Sequence, residues 1–171
     1  MSKPAFVYVT YIATSAERLW QALTSAEFTE RYMFGRRVES TWKVGAPVRY
    51  IGREGALSDS GEVLEADPPR RLVFTWRVEF DDALRQEGYS TVTFELEQLG
   101  GEVKLTVIHG DLREESGVLK GISMGWPKAI ASLKSLLETG RPLAVSSPES
   151  AAVGEAQAID AARARASHGA A

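Results

Sequence analysis

The sequence predicts an α+β fold: a curved antiparallel sheet of about six to seven strands wrapped around one long C-terminal helix, with two short helices after the first strand. Three observations carry this. Residues Glu114–Glu138 have helical periodicity, with Val118, Leu119, Ile122, Trp126, Ala129, Ile130, Leu133, Leu136 and Leu137 within one arc of about 120°. Between Arg36 and His109 the pattern has period two, broken by turn residues. Between the first strand-like run and that region lie two helix-start signals in succession.

In chain order, Phe6–Ile12 is β-branched and aromatic throughout and reads as a strand. Thr14 and Glu17 have the spacing of a capping box, and Leu19, Trp20, Ala22 and Leu23 follow at helical spacing. Ser25 and Glu27 open a second short helix through Phe28 and Tyr32, ending near Gly35. Arg37–Trp42 is a weak strand, Val44–Pro47 a turn, Val48–Arg53 a strand, Leu57–Gly61 a polar turn and Glu62–Glu65 a strand closed by Asp67-Pro68-Pro69. Arg71–Glu79 alternates, with Leu72, Phe74, Trp76 and Val78 on one face. Phe80–Gly88 is a charged loop. Tyr89–Gln98 sets Val92, Phe94 and Leu96 against Thr91, Thr93, Glu95 and Glu97. After a Gly100-Gly101 hairpin turn, Glu102–His109 puts Val103, Leu105, Val107 and His109 on one face. Strands with one apolar and one polar face predict a sheet with one wet side and a dry side under the long helix.

That helix would span roughly 37 Å at 1.5 Å per residue. Gly121 and Gly125 sit on the shoulder of its apolar arc, and Pro127 deprives the Ser123 carbonyl of its helical partner. Two readings are open: a first half bent or loosened over a cavity, or glycines packed close to a strand with Pro127 starting a second helix.

The chain has 171 residues, 44% apolar and 25% charged, with a net charge of −3. These are values of an ordinary globular domain with extras. No basic stripe interleaved with aromatics indicates nucleic acid. There is no cysteine, which excludes thiol chemistry and fits a cytoplasmic setting. His109 and His168 are the only histidines, too few for a histidine-based zinc site. No apolar run is long enough to span a membrane, and the start lacks a signal-peptide layout. The domain is expected over residues 1–143. Residues 144–171, rich in Ala with few large aliphatics, are expected to be a disordered tail.

No phosphate-binding glycine loop, serine elbow or zinc-protease motif is present. His109 is the only histidine of the expected domain. It suits a polar handle in a pocket, a general base, or a hydrogen-bonded histidine at a strand end. The adjacent carboxylates Asp81-Asp82 and Glu114-Glu115 diverge on loops rather than converge on a substrate. Arg36-Arg37 and Arg70-Arg71 read as solvated or salt-bridged. Large rings on both sheet and helix fit either a filled core or an apolar cavity.

Specific stretches add a family resemblance. TYIATSAERLWQALTSAEFTERYM, GEVLEADPPRRLVFTWR and HGDLREESGVLKGISMGWPKAIASLKSLLETGRPL together resemble the homologue family of the heat-shock-protein-90 ATPase activator C-terminal domain. This family lies within the START-like (SRPBCC) helix-grip superfamily, and the resemblance covers about residues 5–143. It implies the helix-grip fold and a cavity between sheet and long helix, with its mouth near Met33 and Phe34. Tyr32 stands where relatives often have tryptophan.

The expected function is binding of a small apolar ligand (lipid, sterol, flavonoid or polyketide-like), without catalytic residues, metal or cofactor. The expected walls are Val48, Tyr50, Leu72, Phe74, Trp76, Val92, Phe94, Leu105, Val107, Ile122, Trp126 and Ile130, with His109 and Tyr50 orienting a polar end. Two alternatives stand beside it. One is a cyclase- or hydrolase-like enzyme using His109; the other is a co-chaperone-like module whose partner is a chaperone. The expected state is monomer or homodimer.

Overall fold

The computed structural model describes residues 3–145; the predicted tail lies, beyond Val145, outside the described residues. The strands are β1 (Phe6–Ile12), β2 (Arg37–Glu39), β3 (Pro47–Ile51), β4 (Leu57–Asp67), β5 (Arg71–Val78), β6 (Ser90–Leu99) and β7 (Glu102–Gly110). They form one seven-stranded sheet in the order β1-β7-β6-β5-β4-β3-β2, antiparallel throughout. Helices α1 (Ala16–Thr24) and α2 (Ala26–Tyr32) follow β1, a short α3 (Asp82–Arg85) follows β5, and α4 (Gly117–Thr139) closes the fold. This is the α+β helix-grip arrangement that the sequence predicts. Among the described residues, no helix is long and apolar enough to cross a membrane.

The alternation along β5, β6 and β7 sorts side chains as expected. Leu72, Phe74, Trp76, Val92, Phe94, Leu105 and Val107 are buried on the concave face. Helix α4 lays Ile130, Leu133 and Leu136 onto that face. Its Trp126 ring meets Phe94 edge-on, with centroids 5.7 Å apart.

Three local expectations are corrected. The cap of α1 is Ser15, whose Oγ accepts from the Arg18 N–H at 3.2 Å. The Thr14 N–H instead donates to the Ile12 carbonyl in a tight turn, and the Thr14 hydroxyl is buried without a partner. With Ser15 as cap, Glu17 falls one residue short of the box position. Ser15→Ala is expected to lower stability by about 1 kcal/mol, and Thr14→Ala by much less, measured by urea denaturation. Equal losses would restore Thr14 as the cap.

Leu57–Gly61 is not a turn but the first half of β4, paired with β3 through Asp59 opposite Tyr50 and Gly61 opposite Val48. Its polar residues find partners inside the fold: Ser58 donates to Asp59 and Ser60 to Glu79, each at 2.6 Å. Gly61 lies against β5 so closely that a Cβ would stand 1.7 Å from the Thr75 carbonyl oxygen. The turn itself is Gly52–Ala56. Finally, the Phe80–Gly88 loop contains α3, capped by Asp81.

The long helix starts later than its periodicity suggests. Ser116 is the cap, its Oγ accepting from the Leu119 N–H at 3.0 Å. Pro127 sits inside one continuous helix, not at the start of a second. At the other end Gly140 takes φ 79° and closes the helix onto Leu136, which suits a residue without a Cβ.

Candidate functional site

A cavity of about 320 Å³ opens between the N-terminal half of α4, the α2–β2 turn and the β5–α3 segment. This is at the small end of ligand-pocket volumes. The turn contributes Met33, Phe34 and Arg36; β4 contributes Asp59; β5 contributes Trp76 and Val78; Phe80 and Leu84 follow. Helix α4 supplies the opposite wall from Gly117 to Ala129, including Gly121, Ile122, Gly125 and Trp126.

The rim is held by specific local chemistry. Phe34 and Gly35 both have positive φ, 55° and 78°, which reverses the chain between Met33 and Arg36. A phenylalanine in the left-handed region costs of order 1–3 kcal/mol. Glu87 ties the loop after α3 to the start of α4: it accepts from the Ser116 hydroxyl and, at 2.8 Å, from the Gly117 N–H. Burial pushes the Glu87 carboxyl up, but these bonds, one from the Val118 N–H and the nearby Arg113 charge together hold it below the usual range. A Cβ on Gly117 would come within 2.7 Å of the Leu84 side chain, so the two rims approach closely there. At Gly121 the opposite holds: a Cβ would have nothing within 4 Å. Gly121 opens space; it does not serve close packing.

Of the residues expected to form the walls, the structure brings Trp76, Ile122 and Trp126 together around the cavity. Val48, Tyr50, Leu72, Phe74, Val92, Phe94, Leu105, Val107 and Ile130 lie in the packed core, none more than 2% exposed. The rings of Phe74, Phe94, Trp76 and Trp126 interlock at centroid distances of 5.7–6.2 Å and fill the centre of the concave face. The cavity is therefore displaced toward the end where α4 begins.

His109 is fully buried and is not part of the cavity wall. The Trp126 indole N–H donates to His109 Nδ1 at 3.1 Å, and His109 Nε2 lies 2.7 Å from Ser90 Oγ. An indole can only donate, so Nδ1 is the acceptor and Nε2 carries the proton. Nε2–H then donates to Ser90, whose hydroxyl donates to the Trp76 carbonyl at 3.1 Å. Burial pushes the imidazole down to about 4, so it is neutral at pH 7. Both nitrogens are engaged within this chain of bonds. His109 thus positions the two cavity tryptophans and has no lone pair to offer a substrate.

The cavity has one polar end. Arg36 and Asp59 form an ion pair, Nε to Oδ2 at 3.8 Å, with side chains 14% and 3% exposed. Sequence reasoning passed over Asp59 because the LSDSG stretch resembles a turn. The signal that did point here was the Gly121/Gly125 pair on the shoulder of the apolar arc.

The family model for Activator of Hsp90 ATPase homolog 1-like protein matches residues 13–138. Among solved structures, protein MLL2253 from Mesorhizobium loti is 26% identical with a TM-score of 0.68, covering 78% of this chain and 96% of that one. PFC0360w, described as an HSP90 activator from Plasmodium falciparum, is 26% identical with a TM-score of 0.64, covering 78% and 95%. DynU16, a protein of the dynemicin biosynthetic locus, is 20% identical with a TM-score of 0.65, covering 81% and 48%, and shows likeness of fold alone. No curated protein is a significant match. A family model matched from the first helix to the end of the last, over the fold described above, places this chain in the Activator of Hsp90 ATPase homolog 1-like family.

Proposed function

We propose that residues 1–143 form a ligand-binding domain that holds a small, largely apolar molecule in the cavity beneath the first half of α4. The observation that carries this reading is the cavity itself. Its wall is apolar apart from Arg36, Asp59 and Lys120, and the open Gly121 position widens it where a core would be filled. Apolar walls with a few placed polar groups are the usual composition of such sites. Engagement of both His109 nitrogens speaks against the cyclase- or hydrolase-like alternative.

The test is an amide NMR titration of the full chain with fatty acids, sterols, flavonoids and polyketide-like aromatics. Saturable shifts clustered on residues 117–129 and 33–36 are expected. A spectrum unchanged across the panel would end this reading.

A second reading, a module that docks on a chaperone, is supported by the likeness to the Plasmodium HSP90 activator. It is tested by titrating the chain with an HSP90-type chaperone. Shifts on the sheet's solvent face, with the cavity residues silent, would favour it.

A further inference from the structure

We propose that the occupant of the cavity is a small amphipathic monoanion: an apolar body ending in a carboxylate held at the Arg36 end. This rests on the ligand-binding reading and refines it. Three charged residues line the cavity, Arg36, Asp59 and Lys120, leaving the wall with one net positive charge. The rest of the wall is overwhelmingly apolar, so a charge there acts in a medium that screens it poorly.

Arg36 is fixed in place before any ligand arrives. Its guanidinium carbon is 5.8 Å from the Phe34 ring centroid and 5.7 Å from that of Phe80, one ring from each rim of the mouth. Asp59 holds its edge, while the same Asp59 oxygen accepts from Ser58. A planar guanidinium oriented this way suits a carboxylate, and a pre-oriented donor loses little freedom on binding.

A merely greasy wall gives no reason for this pair. Removing two charges from water is costly, and well-packed apolar residues are often as stable or more so. Trp76 adds a second donor-side irregularity. It is 5% exposed, lines the same wall, and its indole N–H has no hydrogen-bond partner. Buried donors of this kind are rare without a role. Arg36, Lys120 and the Trp76 N–H call for an acceptor oxygen, and the net charge calls for an anion.

The experiment compares two acid–amide pairs on the full chain at pH 7.5 by amide NMR titration: octanoate with octanamide, and 2-naphthoate with 2-naphthamide. Each pair keeps its body and changes only the charge of its head. The carboxylate is expected to bind at least about tenfold more tightly in each pair, as hydrogen bonds to charged groups allow. That preference should shrink several-fold in Lys120→Gln and on adding salt, and vanish in the double variant Arg36→Met/Asp59→Asn, which leaves no lone buried charge.

Equal affinity for acid and amide, with shifts on the cavity, would overturn the carboxylate assignment and leave the cavity reading intact. Binding of neutral panel members but of neither acid would overturn it as well. Absence of any cavity shift with every compound would instead defeat the ligand-binding reading beneath it. If the double variant does not fold, Lys120→Gln decides: an unchanged acid preference that is also insensitive to salt overturns the proposal.

Discussion

Gly121→Leu is expected to abolish ligand binding, by a hundredfold or more, while leaving the protein as stable as before or slightly more so. Gly121 lies inside a helix, where glycine is about 1 kcal/mol worse than alanine and leucine is close to alanine. Nothing lies within 4 Å of the position its Cβ would take, so the substitution meets no neighbour on the way in. The remaining carbons project into the space bounded by Trp76, Ile122 and Trp126, which a ligand body would need. Gly121→Ala is the graded control, with the same helical gain and only a methyl group added. Affinity follows from NMR titration and stability from thermal unfolding. Retained affinity in Gly121→Leu would mean that the ligand site lies elsewhere. A large fall in melting temperature would mean that the space is not open.

The fold was legible in the sequence because its signals are redundant. Alternation in Arg71–Glu79, Tyr89–Gln98 and Glu102–His109 marks three strands independently, and the apolar arc of the last helix gives them one surface to cover. The LSDSG stretch was not legible, because local polarity is a turn signal and only tertiary partners such as Glu79 make Ser60 acceptable in a strand. The cap at Ser15 rather than Thr14 depends on a single turn hydrogen bond that composition does not report.

The candidate site was legible in part. Gly121 and Gly125 stood out because glycine is unfavourable in a helix, and Trp76 and Trp126 because large rings faced each other across the expected interface. The remaining expected walls could not be sorted from the core by pattern. Phe94 and Ile122 sit on equally apolar faces, yet one is packed among rings and the other borders the cavity. The Arg36–Asp59 pair joins residues from a helix–strand turn and a distant strand, and no local pattern links the two.

Lowering the pH should remove about 2 kcal/mol of stability between pH 7 and 5, and about 3 kcal/mol by pH 4, through His109 alone. The imidazole is held near 4 in the fold by burial and returns to about 6.5 in the unfolded chain. The unfolded state therefore binds more protons throughout that window, and stability rises with pH across it. The contribution is fully present above about pH 6.5 and is lost as pH falls through 4. In structural terms, protonating Nδ1 places a second donor against the Trp126 N–H, so the bond that fixes Trp126 beside the cavity cannot survive it. His109→Asn offers an oxygen near Nδ1 and does not titrate. It is expected to be less stable at pH 7, because the Ser90 bond is lost, but nearly flat from pH 7 to 5. Urea denaturation of both proteins at half-unit pH steps makes the comparison. The window matters because Glu79, Glu87 and Glu138, all held below the usual carboxylate range, contribute their own acid loss only at lower pH. Parallel slopes for the two proteins between pH 7 and 5 would show that His109 is not held neutral. A general-base role for it would then be open again.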